Sequence, residues 1–207
     1  MKEKISFKTR VRDAIIDNAI YYRNDFTEYD YLIYSKDFKN RHYYIISAEN
    51  DNYKHLTGVQ TELSGNDFFD KCIAGSLTEE DFSFSKKNQS EKEVKGSVRR
   101  KITVLPLMKN LFNGTAKIEE DFEKNRIRCS FAAGSADCTL GFVITDDKAR
   151  PKTLLKGDEI DKEKSCTIGC VLRKKRSSKH FNELLFGDLT AIQNELGQDG
   201  LIDTKDF

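Results

Sequence analysis

Three histidines are the residues of this sequence best suited to move protons near neutral pH: His42, His55 and His180. His55 lies in the string KHLTGV, residues 54–59, which the sequence predicts to be a short strand or turn. In an extended chain His55 and Thr57 lie on the same side. An imidazole and a hydroxyl would therefore meet at a strand-to-turn junction, an arrangement that suits acid–base chemistry on a phosphodiester. The alternative is a histidine held by hydrogen bonds within a turn.

Signatures of several other chemistries are missing from the sequence. It contains no phosphate loop of the GxxxxGKS or GxxxxGKT type, and no GxGxxG, GxSxG or HExxH motif. Its cysteines lack the CxxC spacing of a zinc site, and no histidine lies near the predicted strand that would place Cys166 and Cys170 on one face. We therefore expect no metal site, no cofactor and reduced structural thiols at all five cysteines: Cys72, Cys129, Cys138, Cys166 and Cys170.

The chain is nearly neutral, with 35 basic and 34 acidic residues, but its charge is unevenly distributed. The first basic segment, residues 86–110, has eight basic residues against two acids. The second basic segment, residues 171–180, has five basic residues and no acid, and residues 183–207 have six acids against Lys205. The two basic segments would form one phosphate-binding surface if the fold brought them together. The alternative is two solvated faces and an acidic tail.

The elements that must position these residues are a mixture of helices and strands. Apolar residues three and four apart predict an amphipathic helix over residues 10–23, and Ser64 and Gly75 are typical of the ends of a helix over 65–74. Aromatic and β-branched residues predict strands at 29–34, 42–47, 126–133, 138–145 and 166–172. Further helices are predicted at 97–112, where Pro106 would bend or end the helix, and at 181–186 and 191–196, with polar or charged connections at 83–95 and 148–164.

This pattern predicts an α+β fold with helices packed on an antiparallel β-sheet. With 207 residues and 11% aromatic content, the chain can build one hydrophobic core. We expect residues 1–187 to form a single domain, followed by an acidic helix or tail at 188–207. No apolar run is long enough to span a membrane, and residues 1–15 lack the apolar core of a signal peptide. We therefore expect a cytoplasmic protein without a membrane partner.

Several strings spread over residues 29–187 resemble a known family in their order and spacing. They are HLTGV at 55–59, FFDKCIAGSLTEEDF at 68–82, VKGSVRRKITVLPLMKNLF at 94–112, NRIRCSFA at 125–132, CTLGFV at 138–143 and ARPKTLLKG at 149–157. The family is that of the phage-associated barnase, EndoU, colicin and RelE-like nuclease domains. The resemblance implies a ribonuclease-like fold and cleavage of RNA without a metal ion. In that chemistry the 2′-hydroxyl attacks the adjacent phosphate, a base and an acid move protons, and a cation stabilises the phosphorane.

Carried onto this sequence, the resemblance implies a catalytic set of His55, Thr57, Arg99 and Lys152. His55 would be the general acid or base, Thr57 would orient it or the phosphate, and a two-histidine mechanism would have to recruit His180. The implied nucleic-acid-binding set combines basic residues with two threonines: Lys95, Arg100, Lys101, Thr139, Thr153, Arg173, Lys174, Lys175 and Arg176. The alternative for each residue is an ordinary surface charge or a strand residue.

The resemblance and the charge pattern together predict a metal-independent endoribonuclease of a phage or mobile element that acts as a toxin or effector. Two alternatives remain open. One is a non-catalytic nucleic-acid-binding module, and the other is a protein-binding inhibitor or adaptor in the conflict between phage and host. The expected partner is RNA, with an immunity or target protein as a second partner.

Overall fold

The helices of the protein lie mainly in the first half of the chain. The computed structural model describes residues 5–203 and 205; residues 204, 206 and 207 of the expected acidic tail lie outside them. Ser6, Ser64 and Ser90 accept hydrogen bonds from backbone N–H groups in the first turns of three helices and so fix where these begin. The α-helices within the described residues are α1 (Phe7–Tyr22), α2 (Asn52–Thr57), α3 (Gly65–Ile73), α4 (Glu91–Val104) and α5 (Gln193–Gln198). A π-helical turn, Arg23–Thr27, extends α1, and a 3-10 helix, Leu105–Phe112, extends α4.

The strands form one large sheet and one small hairpin. They are β1 (Tyr29–Tyr34), β2 (Tyr43–Ser47), β3 (Lys117–Glu120), β4 (Glu123–Lys124), β5 (Ile127–Arg128), β6 (Phe131–Gly134), β7 (Cys138–Thr145), β8 (Lys148–Lys156), β9 (Ser165–Thr167), β10 (Cys170–Lys175) and β11 (Glu183–Gly187). The large sheet has the order β11-β10-β1-β2-β8-β7-β6-β3-β9, and β4 pairs with β5. The β2–β8 pair is parallel, and the other described pairs are antiparallel. The predicted α+β class is confirmed, and the sheet is antiparallel as predicted except for the β2–β8 pair. The large sheet is not the simple barnase-like arrangement that the resemblance implied.

The large sheet curls until its two ends approach each other. Only Ile168 and Gly169 separate β9 from β10, although these strands lie near opposite ends of the sheet. A connection of this length spans about 10 Å at most. In addition, the ring of Phe186 on β11 covers Gly114, where a Cβ would lie 2.1 Å from Phe186 Cγ. Gly114 therefore permits the close approach that helps to curl the sheet.

Both faces of the sheet are covered. The main core packs α1 to α4 against one face and contains Ile15, Leu56 and Phe142. The opposite face is covered by the β4–β5 hairpin, near Phe122 and Cys129, and by the C-terminal residues of a second cluster that includes Leu189, Ile192, Leu196 and Ile202. Each large apolar side chain buried in this way contributes about 1.5–3 kcal/mol to folding.

The predictions for α1, β1, β2, α3 and β7 are confirmed to within a few residues. The Ser64 hydroxyl accepts from Asp67 N, and Gly75 follows α3 with a φ of 66°. The predicted helix at 191–196 corresponds to α5.

Several predicted elements are wrong. Residues 52–57 form α2 and not a strand or turn. The helix predicted at 97–112 begins at Glu91, because Ser90 and Glu93 form a capping box, so residues 83–95 are only partly a connection. Residues 148–156 form the strand β8 in the middle of the sheet, where a charged connection was predicted.

The predictions for three strand-forming regions also fail in detail. Residues 183–187 form β11 and not a helix, and the strand predicted at 126–133 is divided into β5 and β6. The strand predicted at 166–172 is divided into β9 and β10 by Ile168 and Gly169. Cys166 and Cys170 therefore lie on different strands, and the prediction that they share a face is wrong.

Candidate functional site

A cleft of about 310 Å³ opens between α2, the chain that follows it and α4. We call it the His55 cleft. Its lining combines four basic side chains with neutral polar groups, and within the described chain it includes no carboxylate: Lys54, His55, Gly58, Val59, Gln60, Thr61, Lys86, Ser97 and Lys101. The cleft therefore suits a phosphate group better than a cation.

Helix α2 presents His55 to the cleft by burying its other face. Tyr53 and Leu56 are fully buried in the main core, whereas His55 is exposed. Thr57 is also fully buried, and its hydroxyl donates to Lys54 O at 2.8 Å. The predicted extended pairing of His55 with Thr57 is therefore wrong, because one turn of helix directs the two side chains apart. Thr57 stabilises the end of α2 and does not face the cleft.

Gly58 ends α2 and brings α4 close to it. Its φ of 80° is left-handed, as expected of a residue that follows a helix. A Cβ at this position would lie 2.8 Å from Cδ of Lys101, whose Nζ donates to His55 O at 2.8 Å. The glycine thus leaves room for the Lys101 side chain to cross the end of α2, and the ammonium group lies beside the backbone of His55.

The cleft lowers the pKa of two of its basic side chains, Lys101 and His55. Burial, followed by the charge of Lys86, lowers the pKa of Lys101 to about 8. Loss of hydration also lowers the pKa of His55 below its ordinary value of 6.5, and Lys54 and Lys101 act in the same direction, against Asp51. At pH 7 His55 is therefore a neutral imidazole that can accept a proton, and Lys101 is a cation that can release one.

Other predicted residues of the first basic segment lie outside the His55 cleft. The Arg99 guanidinium lies over the Phe7 ring at 5.2 Å, and Lys95 pairs with Glu91 at 2.5 Å. Arg100 is exposed on α4. Only Lys101 of the predicted site residues on α4 lines the cleft with His55.

The predicted residues on β7 and β8 lie on the opposite face of the sheet from α2. Thr139 donates to Gly157 O at 2.9 Å. A Cβ at Gly141 would meet Cys129 and Thr153, which places Thr153 beneath the β4–β5 hairpin. Lys152 is the extra residue of a β-bulge, and its Nζ donates to Arg128 O at 2.8 Å. The structure therefore does not bring Lys152, Thr139 or Thr153 together with His55.

The second basic segment is engaged in interactions within the protein. Arg173 pairs with Glu183 at 2.5 Å, and Lys174 donates to Ser178 O at 3.0 Å. Arg176 contacts two carboxylates, those of Glu49 at 3.1 Å and Asp30 at 3.4 Å. Lys175 is exposed. His180 lines a separate pocket with residues of the C-terminal region, so the structure does not place it beside His55.

The comparison with family models decides the family of this chain. Residues 14–195 match the model of the phage-Barnase-EndoU-ColicinE5/D-RelE like nuclease4 family. The chain belongs to this nuclease family. The match confirms the resemblance drawn from the sequence, and it contains α2 and α4, the two helices of the His55 cleft. Searches of the curated proteins and of the solved structures found no match.

Some lining residues of this nuclease-like domain were not among the predicted site residues. Lys54 directly precedes His55, and its Nζ donates to Leu63 O at 3.2 Å. Lys86 belongs to the first basic segment, but only the fold shows that it faces His55. Ser97 lies four residues before Lys101, and the helix predicted at 97–112 already placed the two on one helical face.

Two further properties of the nuclease-like domain concern metals and membranes. Within residues 5–203 and 205, no group of three or more histidine, cysteine, aspartate or glutamate side chains is arranged to share a metal ion. None of the described helices combines the length and the apolar character needed to cross a membrane.

Proposed function

We propose that this chain is a metal-independent endoribonuclease that cleaves RNA in the His55 cleft. The observation that carries the proposal is the placement of His55 and Lys101 in one cleft lined by cations and neutral groups, where Lys101 Nζ donates to the backbone oxygen of His55 and the pKa of both side chains is lowered. A base whose pKa lies below 6.5 and a cation whose pKa is lowered to about 8 can divide the two proton transfers that transphosphorylation of RNA requires. Membership in a nuclease family supports this assignment.

The proposed reaction divides the proton transfers between two side chains. The neutral His55 imidazole accepts the proton of the 2′-hydroxyl, and the 2′-oxygen then forms a bond to phosphorus. The bond from phosphorus to the 5′-oxygen breaks, and Lys101 donates the proton that this oxygen takes up. The products are a 2′,3′-cyclic phosphate and a 5′-hydroxyl.

The other cations of the cleft have an electrostatic role in this proposal. Lys54 and Lys86 contribute positive charge where the phosphorane accumulates negative charge. Because the nucleophile is the 2′-hydroxyl of the substrate, RNA is cleaved and DNA of the same sequence is not. No step of this scheme is routed through a metal ion.

The test is incubation of the purified protein with total RNA in EDTA, followed by analysis of the new ends. We expect 2′,3′-cyclic phosphate ends from the wild type and their loss in His55→Gln. His42→Gln is the matched control, because His42 is exposed and pairs with Glu195 at 2.8 Å, outside the cleft. RNA that stays intact, or cleavage that His55→Gln leaves unchanged, would contradict the proposal.

We also propose that this ribonuclease acts as a toxin or effector. This role rests on the nuclease activity and on the phage-associated family. Induced expression of the wild type should arrest bacterial growth and degrade cellular RNA, whereas His55→Gln should permit growth at the same protein level. Equal growth with the two proteins would contradict a toxin role.

A nucleic-acid-binding module without catalysis is the second candidate. The small number of catalytic side chains in the cleft favours this candidate. Within the described residues His55 is the one histidine that lines the cleft, and the Thr57 hydroxyl is bonded to Lys54 O and does not face it. This candidate predicts binding that weakens steeply with salt, because phosphate contacts release counterions. It also predicts that RNA remains intact.

A further inference from the structure

A second groove, of about 520 Å³, lies on the other side of α4 from the His55 cleft. We call it the Phe7 groove. Its apolar part is formed by Phe7 and Phe84, whose ring centroids are 5.3 Å apart. Its rim carries three exposed polar side chains, those of Ser83, Ser85 and Gln89. Aromatic rings beside a polar rim match the flat face and polar edge of a nucleobase.

Basic side chains surround the two rings. Lys95 Nζ lies 5.4 Å from the centre of the Phe84 ring, and the Arg99 and Arg10 guanidinium groups lie 5.2 Å and 5.8 Å from that of Phe7. Within the groove Glu91 is paired with Lys95 at 2.5 Å. The surroundings therefore favour an aromatic ligand that carries negative charge, which is the chemistry of a nucleotide.

The Phe7 groove and the His55 cleft are joined by direct backbone contacts. Ser83 lines the groove and Gln60 lines the cleft. These two residues exchange backbone hydrogen bonds of 3.0 Å and 2.7 Å. The chain then continues from Ser83 to Lys86, which lines the cleft. The two sites are therefore neighbours, as successive nucleotides of one strand would require.

From these contacts we propose that the Phe7 groove binds a nucleobase of the RNA strand whose phosphate lies in the His55 cleft. The inference rests on the proposed ribonuclease function and adds a base-binding subsite to it. The base stacks on the half-buried ring of Phe7, which packs against the buried Phe84 ring, and the edge of the base meets the polar rim. Phe7 lies before residue 14, where the family match begins, so this side of the groove is not part of the matched region.

Binding of a 2′-O-methyl RNA decamer, which has no free 2′-hydroxyl to attack, tests the subsite apart from catalysis. Phe7→Leu keeps an apolar side chain against Phe84 but removes the stacking surface. We expect it to weaken binding about tenfold, the order of one base–aromatic stack. Phe38→Leu is the matched control, because Phe38 is a half-buried ring that packs on Tyr44 in another part of the fold.

A scan of the decamer with one abasic residue at each position identifies the base involved. At one position, removal of the base should abolish the difference in affinity between the wild type and Phe7→Leu. Gln89→Ala, a change of an exposed side chain that should leave folding intact, should alter the preference among the four bases at that same position. Equal binding of the intact strand by wild type and Phe7→Leu would overturn the subsite.

The same variants separate failure of the subsite from failure of the proposed function. If Phe7→Leu binds the decamer as the wild type does while the wild type still cleaves RNA, the subsite is wrong and the ribonuclease proposal stands. If no RNA is cleaved but the loss of affinity caused by an abasic residue depends on Phe7, the ribonuclease proposal is wrong and the base-binding subsite stands.

Discussion

In the first basic segment Lys86 and Lys101 face an open cleft, whereas in the second Arg173, Lys174 and Arg176 face groups of the protein itself. The difference comes from the elements that pack beside each segment. α4 lies against α2, which contributes His55 and a backbone carbonyl, while β10 lies near the carboxylates of β1 and β11. A dense basic sequence therefore shows where cations lie along the chain but not whether they are available to a ligand.

The cations of the second basic segment also surround a buried carboxylate. The Asp30 carboxyl is buried within 4.0 Å of three cations, Lys148, Lys174 and Arg176. A phosphate that recruited these cations would have to compete with a buried carboxylate, and removing one member of such a cluster leaves uncompensated charge. The second basic segment is therefore engaged mainly within the sheet, whereas Lys86 and Lys101 of the first remain available to a ligand in the His55 cleft.

The largest contrast should appear in catalysis. Lys101→Met keeps the aliphatic chain beside Gly58 but removes the proposed proton donor, so we expect kcat/KM to fall about 1,000-fold. Lys175→Met removes an exposed lysine of the second basic segment and should leave kcat/KM within about twofold, since surface charges away from a site contribute little. Single-turnover cleavage of a defined RNA in EDTA measures both. Equal losses in the two variants would remove the functional distinction between the segments.

The next contrast is in stability. Asp30→Asn should lower the free energy of unfolding by about 3 kcal/mol, because it leaves the cations around it without their buried partner. Asp37→Asn, at an exposed position, should change it by less than about 0.5 kcal/mol. Urea denaturation curves give both values. An Asp30→Asn protein as stable as the wild type would show that the second basic segment is not engaged as the structure indicates.

The pH dependence of cleavage sharpens the assignment of roles in the His55 cleft. The base form of His55 increases as the pH rises through a pKa below 6.5, and the acid form of Lys101 is lost as the pH rises through about 8. We expect a bell-shaped profile of kcat/KM between these limits. Lys101→Arg should lower kcat/KM, because a guanidinium group donates its proton poorly, and the cleavage that remains should no longer decline at high pH, because an arginine stays protonated there. A decline that persists near pH 8 in that variant would assign the high-pH limb to another group.

The smallest effect should be on the salt dependence of binding. Lys86→Gln removes one cation of the cleft and should reduce the slope of log K against log salt by about 0.7, the value for one phosphate contact of a single strand. Lys175→Gln should leave the slope unchanged. Titrations of the 2′-O-methyl decamer at several salt concentrations give the slopes. The reverse pattern would place the RNA on the second basic segment.

Local patterns predicted the elements that local forces determine. The apolar spacing of α1, the serine cap of α3 and the aromatic strands β1 and β2 each carry a signal within a few residues. β8 carries no such signal, since Arg150, Pro151 and Lys152 interrupt its apolar residues. It becomes a strand because β7 pairs along its length and a bulge accommodates Lys152, and such pairing depends on residues distant in sequence.

The candidate site was predictable in part. His55 was identified by its residue type, and Lys101 by its charge, but the geometry that joins them was not predicted. Their proximity depends on α2 being a helix and on Gly58 leaving space for the Lys101 side chain. Lys152 could not be assigned to a face from sequence, because the bulge at Lys152 changes the alternation of β8.

The most direct test of this account is to map where RNA binds. Amide chemical shifts of the labelled protein can be followed by NMR during titration with the 2′-O-methyl decamer. The account predicts that the largest changes fall at residues 54–61, at Lys86 and at residues 97–101. Changes confined to residues 171–180, with the residues around His55 unaffected, would contradict it.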